Sequence, residues 1–165
     1  MTQILEHVIE ALRDELQQFG EMLALLEFQQ ACLNRGDIGS VPQTTSAIDS
    51  QRNVIESARA RRENLQRQLT WTIGQPDPQS LQALLPRIPD IYRPLLLALI
   101  GEINQLIAEV RLRLEANQLQ LRRALDQTVG LLSTISSQAY SALLAEERNS
   151  SGAESSPHAV TAAIV

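Results

Sequence analysis

The first 33 residues carry a seven-residue repeat of large apolar side chains. The repeat falls at Leu5, Leu12, Phe19, Leu26 and Leu33, and a second series four residues further on fills the alternate seam position with Ile9, Leu16 and Leu23. This is the a/d pattern of a helix that packs against another helix along its whole length. The pattern predicts a first helix over about residues 3–35. Gly36 can adopt the left-handed conformation that ends such a helix.

A second helix is predicted over about residues 41–73. The segment Ser40-Val41-Pro42-Gln43 has the form of a capping box with proline in the first turn, and Gly74 marks the other end. The apolar stripe is narrow: Ile48, Ile55, Ala58, Leu65, Leu69 and Ile73. Because the connection from Gly36 to Ser40 is short, the first two helices must lie antiparallel.

The charges of these two helices are complementary. Residues 1–34 hold six acids and one Arg, a net charge of -5, whereas residues 41–73 hold five Arg and three acids, a net charge of +2. We therefore expect ion pairs across the hairpin. They would join Arg59, Arg61, Arg62 and Arg67 to Glu10, Asp14, Glu15 or Glu21. Exposed pairs of this kind contribute about 0 to 1 kcal/mol each.

The remaining chain predicts a connector and a long third helix. Asp77-Pro78 can start a short helix over 78–85 that Pro86 stops, and its apolar residues should fold over the end of the hairpin. A third helix is predicted over 91–146. Its stripe consists of Leu99, Ile103, Leu106, Val110, Leu114, Asn117, Leu121, Leu125, Thr128, Leu132 and Ile135. This helix is longer than either arm of the hairpin, so part of its apolar face should lack an intramolecular cover.

These elements predict an all-α fold: an antiparallel helical hairpin with a long third helix and a short connector helix, arranged as a three-helix bundle or coiled coil. Residues 1–147 should form a single helical domain, and residues 148–165, rich in Ser and Ala, a flexible tail. Leu-rich and Ala-rich composition with 3% aromatic residues suits packed helices.

Composition also argues against several functions. A net charge of -5 would repel nucleic acid. The longest apolar run, Leu95 to Ile100, is too short to cross a bilayer, and Met1 to His7 lacks the features of a signal peptide, so a cytoplasmic protein is expected. His7, His158 and Cys32 have no metal-ligand spacing, and no nucleotide-binding or hydrolase motif occurs. We therefore expect no catalytic residue, cofactor or metal.

Asn117 interrupts the apolar stripe of the third helix. A buried amide is costly unless it is hydrogen-bonded. Two explanations fit equally well: a core residue that sets the register of the helices, or a groove residue that meets a partner.

The layout resembles the FlgN-type flagellar export chaperones. The resemblance covers roughly residues 4–140. It rests on the Leu-rich first helix, the break at Arg35-Gly36-Asp37, the Arg/Glu/Gln-rich second helix and the final pattern Leu114-x-x-Asn117-x-x-x-Leu121. It implies a cytoplasmic, non-enzymatic chaperone that binds the C-terminal amphipathic helix of hook-filament junction (hook-associated) proteins, prevents their premature assembly and aids delivery to the flagellar export apparatus.

The resemblance also implies that the last helix binds the client. The residues that would do so here are Leu114, Asn117, Leu121, Leu125, Thr128, Leu132 and Ile135. A long helix with an unpaired apolar stripe is half of a helix-in-groove site, which agrees with that role. The same stripe could pair with itself in a homodimer. The alternative function is therefore a structural coiled-coil protein that self-associates and has no export client.

Overall fold

The structure is a computed structural model that describes residues 1–75 and 80–152, with side chains described as far as Glu146. Within these ranges the chain is helical and contains no strand, which confirms the all-α prediction. The helices are α1 (Thr2–Asn34), α2 (Val41–Thr72), α3 (Leu81–Leu84) and α4 (Arg93–Gly152), with 3-10 turns at Ile38–Ser40 and Leu85–Arg87. The chain divides into two compact units, unit 1 (Met1–Leu121) and unit 2 (Arg122–Val165), which are described separately.

Gly36 ends α1 as its sequence position predicts. It adopts φ 70°, and the backbone N–H of the following residue, Asp37, donates to the Cys32 carbonyl at 2.9 Å. That bond satisfies a carbonyl in the last turn of α1, which has no partner further along the helix. Gly74 adopts the same left-handed conformation after α2, with φ 78°. Both ends of the hairpin are thus fixed by local sequence.

The predicted capping box at Ser40 and Gln43 is wrong. Ser40 has helical backbone angles and its side chain caps nothing, because the 3-10 turn Ile38–Ser40 precedes α2 directly. Asp37 takes over: its Oδ1 accepts from the Ser40 backbone N–H at 3.3 Å and its Oδ2 accepts from the Ser40 hydroxyl at 2.7 Å. A carboxylate is the stronger acceptor for free N–H groups at a helix start.

Contacts between α1 and α2 include the predicted ion pairing across the hairpin. Arg62 Nε lies 2.6 Å from Glu15 Oε2, and both side chains are largely buried. Gln51 Nε2 donates to the Gln18 backbone carbonyl at 3.0 Å. Arg59 behaves differently from the expectation, because it pairs with Glu63 on its own helix at 3.3 Å.

The connector folds over the hairpin end through four buried side chains, those of Leu81, Leu84, Leu85 and Ile88. Ser80 caps α3 by accepting from the Ala83 N–H at 3.2 Å, while the predicted cap at Asp77-Pro78 lies outside the described residues. Ile91, just after the connector, is exposed.

Arg93 holds the end of this connector against the start of α4. Its Nε donates to the Ile88 carbonyl and its Nη2 to the Pro86 carbonyl, both at 2.8 Å. Its Nη1 lies 2.6 Å from Asp90 Oδ1. The first residue of α4 therefore satisfies two carbonyls that a proline-interrupted segment leaves without helical partners.

Unit 1 is a three-helix arrangement with α1 at its centre. Among the described residues, α1 and α2 are the one pair of long helices whose main chains run within 8 Å of each other over a common length. Arg113 of α4 bonds Gln30 of α1, and the later residue Gln120 bonds the later residue Asn34. Helix α4 therefore runs parallel to α1 and antiparallel to α2. The core comprises Leu5, Val8, Ile9, Leu12, Phe19, Met22, Leu26, Ile48, Ile55, Leu69, Leu81, Leu84, Leu85, Ile88, Leu96, Leu99 and Ile103.

Helix α4 continues further than its sequence pattern predicts. It ends at Gly152 rather than at residue 146, so the first residues of the predicted tail are helical. The rest of that predicted tail, residues 153–165, lies outside the described residues. The single helical domain predicted over residues 1–147 stays a prediction.

Candidate partner-binding surfaces

Four residues of the predicted binding set lie in unit 2 and are exposed. These are Leu125, Thr128, Leu132 and Ile135. The other three lie in unit 1, where Leu114 and Leu121 are half-buried and Asn117 is buried. The structure therefore places the predicted set in two different environments.

The exposed members belong to a longer apolar face on α4, which we call the C-terminal face: Leu125, Thr128, Leu132, Ile135, Ala139 and Leu143. Their spacing of three and four residues puts them on one side of the helix. Leu125 is 64% exposed, and Leu132, Ile135 and Leu143 are each 61% exposed. An exposed apolar strip along one side of a helix is a candidate interaction surface.

Asn117 is a core residue of unit 1. It is 1% exposed, and its Nδ2 donates to the Leu26 carbonyl at 2.8 Å and to Gln29 Oε1 at 3.1 Å. Of the two explanations open at the sequence level, this geometry favours the register-setting one. Its Oδ1 receives no hydrogen bond from any residue in the described part of the chain.

Gln29 extends this polar contact from α1 to α2. Its Nε2 lies 3.3 Å from Thr44 Oγ1 and 3.1 Å from Thr45 Oγ1 on α2, and both hydroxyls donate to the Val41 carbonyl. One polar layer thus joins α4, α1 and α2. Because a shift of any helix would leave buried polar groups without partners, this layer fixes the register of the bundle.

Two adjoining clefts, which share Arg59 and Ile107 in their linings, lie in unit 1 between α2 and α4, and together we call them the α2–α4 groove. Its floor is formed by α1, with Leu12, Glu15, Phe19, Met22 and Leu26. Its apolar walls are Ile48 and Ile55 on α2 and Ile100, Ile103, Ile107, Val110 and Leu114 on α4. Helix α2 packs on α1 along a common length, and α4 is joined to α1 by side-chain hydrogen bonds from Arg113, Asn117 and Gln120.

The rim of this groove is basic. Arg52, Arg59 and Arg111 line it together with the single carboxylate of Glu56. At the opposite end the Glu15–Arg62 ion pair closes the floor, and Arg62 Nη1 donates to Gln66 Oε1 at 2.9 Å. The groove therefore combines an apolar floor with guanidinium groups at its edge.

The described side chains of both surfaces are mostly apolar or arginine. Over residues 1–75 and 80–146, no group of three or more His, Cys, Asp or Glu side chains is placed to hold a metal ion. The Glu15 carboxylate, the most buried acid in unit 1, is held by Arg62. What the two surfaces can do is bury apolar side chains of a partner.

Comparison with protein families identifies the chain. The family model described as "FlgN protein" matches residues 1–153. The chain belongs to the FlgN family. This confirms the resemblance seen in the sequence and indicates a flagellar export chaperone. FlgN proteins are chaperones and are not known as enzymes. Comparisons with curated proteins and with solved structures find no significant match.

The FlgN match covers all of the described residues, and so includes both candidate surfaces. Within the described residues, no helix of this FlgN protein has an apolar stretch long enough to cross a membrane. Family membership implies binding of flagellar export substrates.

Sequence reasoning missed the α2–α4 groove of this FlgN protein. The stripe of α2 places Ile48 and Ile55 against α1, where they are buried, and the charge pattern assigns Arg59 to acids of α1. The available signal was the narrow apolar stripe of α2, since a helix with so few apolar positions can cover one neighbour but not two. The residues that line the groove come from segments far apart in sequence, and the apolar period of a single helix cannot predict which of them will face each other.

Proposed function

We propose that this FlgN protein is a cytoplasmic export chaperone that binds the C-terminal amphipathic helix of hook-associated proteins on its last helix. In this role it prevents premature assembly of the client and delivers it to the flagellar export apparatus. The observation that carries the proposal is the exposure of the C-terminal face. An amphipathic client helix would bury that face in a helix-to-helix contact.

The energy available is sufficient for useful affinity. Burying each Leu or Ile side chain contributes roughly 1.5 to 3 kcal/mol, and the face offers Leu125, Leu132, Ile135 and Leu143. Loss of rotational freedom and ordering of side chains offset part of that gain. The sum is compatible with micromolar or tighter binding.

The predicted residues do not contribute equally. Leu125, Thr128, Leu132 and Ile135 would contact the client directly because they are exposed, and Leu121 is half-buried. Leu114 lines the α2–α4 groove and Asn117 is buried in unit 1. The test of the proposal therefore uses the exposed residues.

The test measures binding of a synthetic peptide with the sequence of a hook-associated protein's C-terminal helix. We expect Leu132→Asp to weaken binding by about 100-fold or more, because a charge then faces the apolar client. The matched control is Thr134→Asp, which adds the same charge on the opposite side of α4. Both variants should keep the helical circular dichroism signal. Equal affinity of the two variants would contradict the proposal.

Self-association is the competing explanation for the same face. A structural coiled-coil protein would form a dimer through Leu125, Leu132 and Ile135, and the client peptide would not perturb it. Sedimentation with and without peptide separates the two functions. A dimer that persists unchanged at saturating peptide would favour the structural role.

A further inference from the structure

We propose that the α2–α4 groove of unit 1 is a second docking site, and that it receives a partner's amphipathic helix with carboxylates along both edges of its apolar ridge. The site shares no residue with the C-terminal face. The proposal is independent of the client named above, because it rests on the groove's own geometry and charge.

The length of the groove fits a helix. It extends on α2 from Ile48 to Gln66, which corresponds to about 27 Å, or five helical turns, at 1.5 Å per residue. Helices α2 and α4 flank α1 as in a four-helix packing that lacks the helix opposite α1, and the floor and the α2 wall of the groove are already buried. A fourth helix placed there would bury the half-exposed side chains of Ile107, Val110 and Leu114.

The charge of the rim selects the occupant. Arg52, Arg59 and Arg111 exceed Glu56 by two positive charges, while the whole chain has a net charge of -5. The guanidinium of Arg111 has no ion pair or hydrogen bond with any described residue. Arg52 and Arg59 pair only with exposed acids of their own helix, Asp49 at 3.6 Å and Glu63 at 3.3 Å.

Such exposed pairs within one helix are weak, so Arg52 and Arg59 can turn to carboxylates of an incoming helix. Arginine also suits this role because its planar fork binds a carboxylate through two parallel hydrogen bonds. A ridge flanked by Glu or Asp is thus favoured over one flanked by Lys.

A second copy of this chain fits the groove less well. The acidic helix α1 already has its seam residues Leu5, Leu12, Phe19 and Leu26 buried within unit 1. The exposed segment 122–146 carries two Arg and two acids, so it lacks the negative edges that the rim favours. The chemistry therefore points to a helix from a different protein.

The probe for the test is a synthetic five-turn peptide with Leu at heptad positions a and d and Glu at e and g. Its twin carries Lys in place of Glu. We expect the Glu peptide to bind the full-length protein about tenfold more tightly than the Lys twin, and added salt to reduce that difference.

The decisive variant is Arg52→Glu/Arg59→Glu/Arg111→Glu, in which all three changes are on exposed side chains. We expect it to lose about tenfold in affinity for the Glu peptide and to gain affinity for the Lys twin. The control, Arg13→Glu/Arg61→Glu/Arg67→Glu, changes the net charge equally at exposed positions that do not line the groove, and it should leave the preference for Glu intact.

A further variant keeps this test separate from the proposed function. Leu132→Asp/Ile135→Asp removes the C-terminal face, and we expect it to bind the Glu peptide as the unmodified protein does. Any one of four results would overturn the proposal: no binding of the Glu peptide, equal affinity for its twin, loss of binding in Leu132→Asp/Ile135→Asp, or a changed sedimentation coefficient in the groove variant, which would mean that a second copy occupies the groove.

Discussion

Two stretches of α4 have similar apolar patterns and opposite exposure. In residues 93–121 the stripe is covered: Leu96, Leu99, Ile103 and Asn117 are buried. In residues 122–146 every described side chain except that of Ala124, which is half-buried, is exposed. Within unit 1, α4 contacts α1 as far as Gln120, which bonds Asn34, the last residue of α1, at 3.2 Å. An apolar stripe thus predicts that a helix can pack, and the tertiary structure decides which part of it does.

The largest expected effect contrasts two leucines of α4, one from each stretch. Leu96 is fully buried and Leu132 is 61% exposed. We expect Leu96→Ala to lower the free energy of unfolding by about 2 to 5 kcal/mol, because it leaves a cavity in the core. Leu132→Ala should change it by less than about 0.5 kcal/mol. Urea denaturation followed by circular dichroism measures both, and similar losses in the two variants would break the comparison.

A smaller effect is expected for the polar members of the stripe. Asn117→Ala removes two hydrogen bonds to α1 and leaves the buried Gln29 Oε1 and Leu26 carbonyl without that donor. The expected loss in free energy of unfolding is about 1 to 3 kcal/mol.

Thr128→Ala is the control for Asn117→Ala. The Thr128 hydroxyl is exposed and bonds only the Ala124 carbonyl of its own helix, at 2.8 Å. We expect almost no change in its denaturation midpoint. If Asn117→Ala were equally neutral, the polar layer would not contribute to stability.

The smallest effect concerns surface arginines. Arg113 reaches α1 through Gln30 at 2.6 Å and Glu27 at 3.5 Å, with both charged side chains about half exposed. Arg113→Ala should therefore cost no more than about 1 kcal/mol. Arg123 has no such partner among the described residues, and Arg123→Ala should cost nothing measurable. Thermal unfolding of the two variants at low and high salt sharpens the comparison, since only the stability loss caused by Arg113→Ala should decrease with salt.

Much of the fold followed from local patterns. The heptads of α1 predicted a packed helix, Gly36 and Gly74 marked helix ends, and charge complementarity predicted a pair such as Arg62 with Glu15. The capping box did not form because the Asp37 carboxylate, three residues before Ser40, accepts from the Ser40 N–H group that the Gln43 side chain would have bonded. The sequence could not decide between the Asp37 and Gln43 side chains as acceptors, since the choice depends on the backbone angles of the 3-10 turn Ile38–Ser40.

The candidate sites divide in the same way. The C-terminal face is a periodicity within one helix, so Leu125, Thr128, Leu132 and Ile135 could be proposed from the sequence. The α2–α4 groove is a relation among α1, α2 and α4, whose facing residues are separated by up to about a hundred positions along the chain. No local pattern joins Phe19 to Ile55 and Val110.

The amino-acid sequence by itself determined that this FlgN protein consists of long helices, where the hairpin turns and which sides of the helices are apolar, because helix propensity, glycine conformation and side-chain period act within a few residues. Only the tertiary structure decided that α4 lies parallel to α1, that Asn117 belongs to the core, and that a basic-rimmed groove remains between α2 and α4. Those features depend on how side chains from distant segments share space and hydrogen bonds, and that packing is settled only when all three helices are present together.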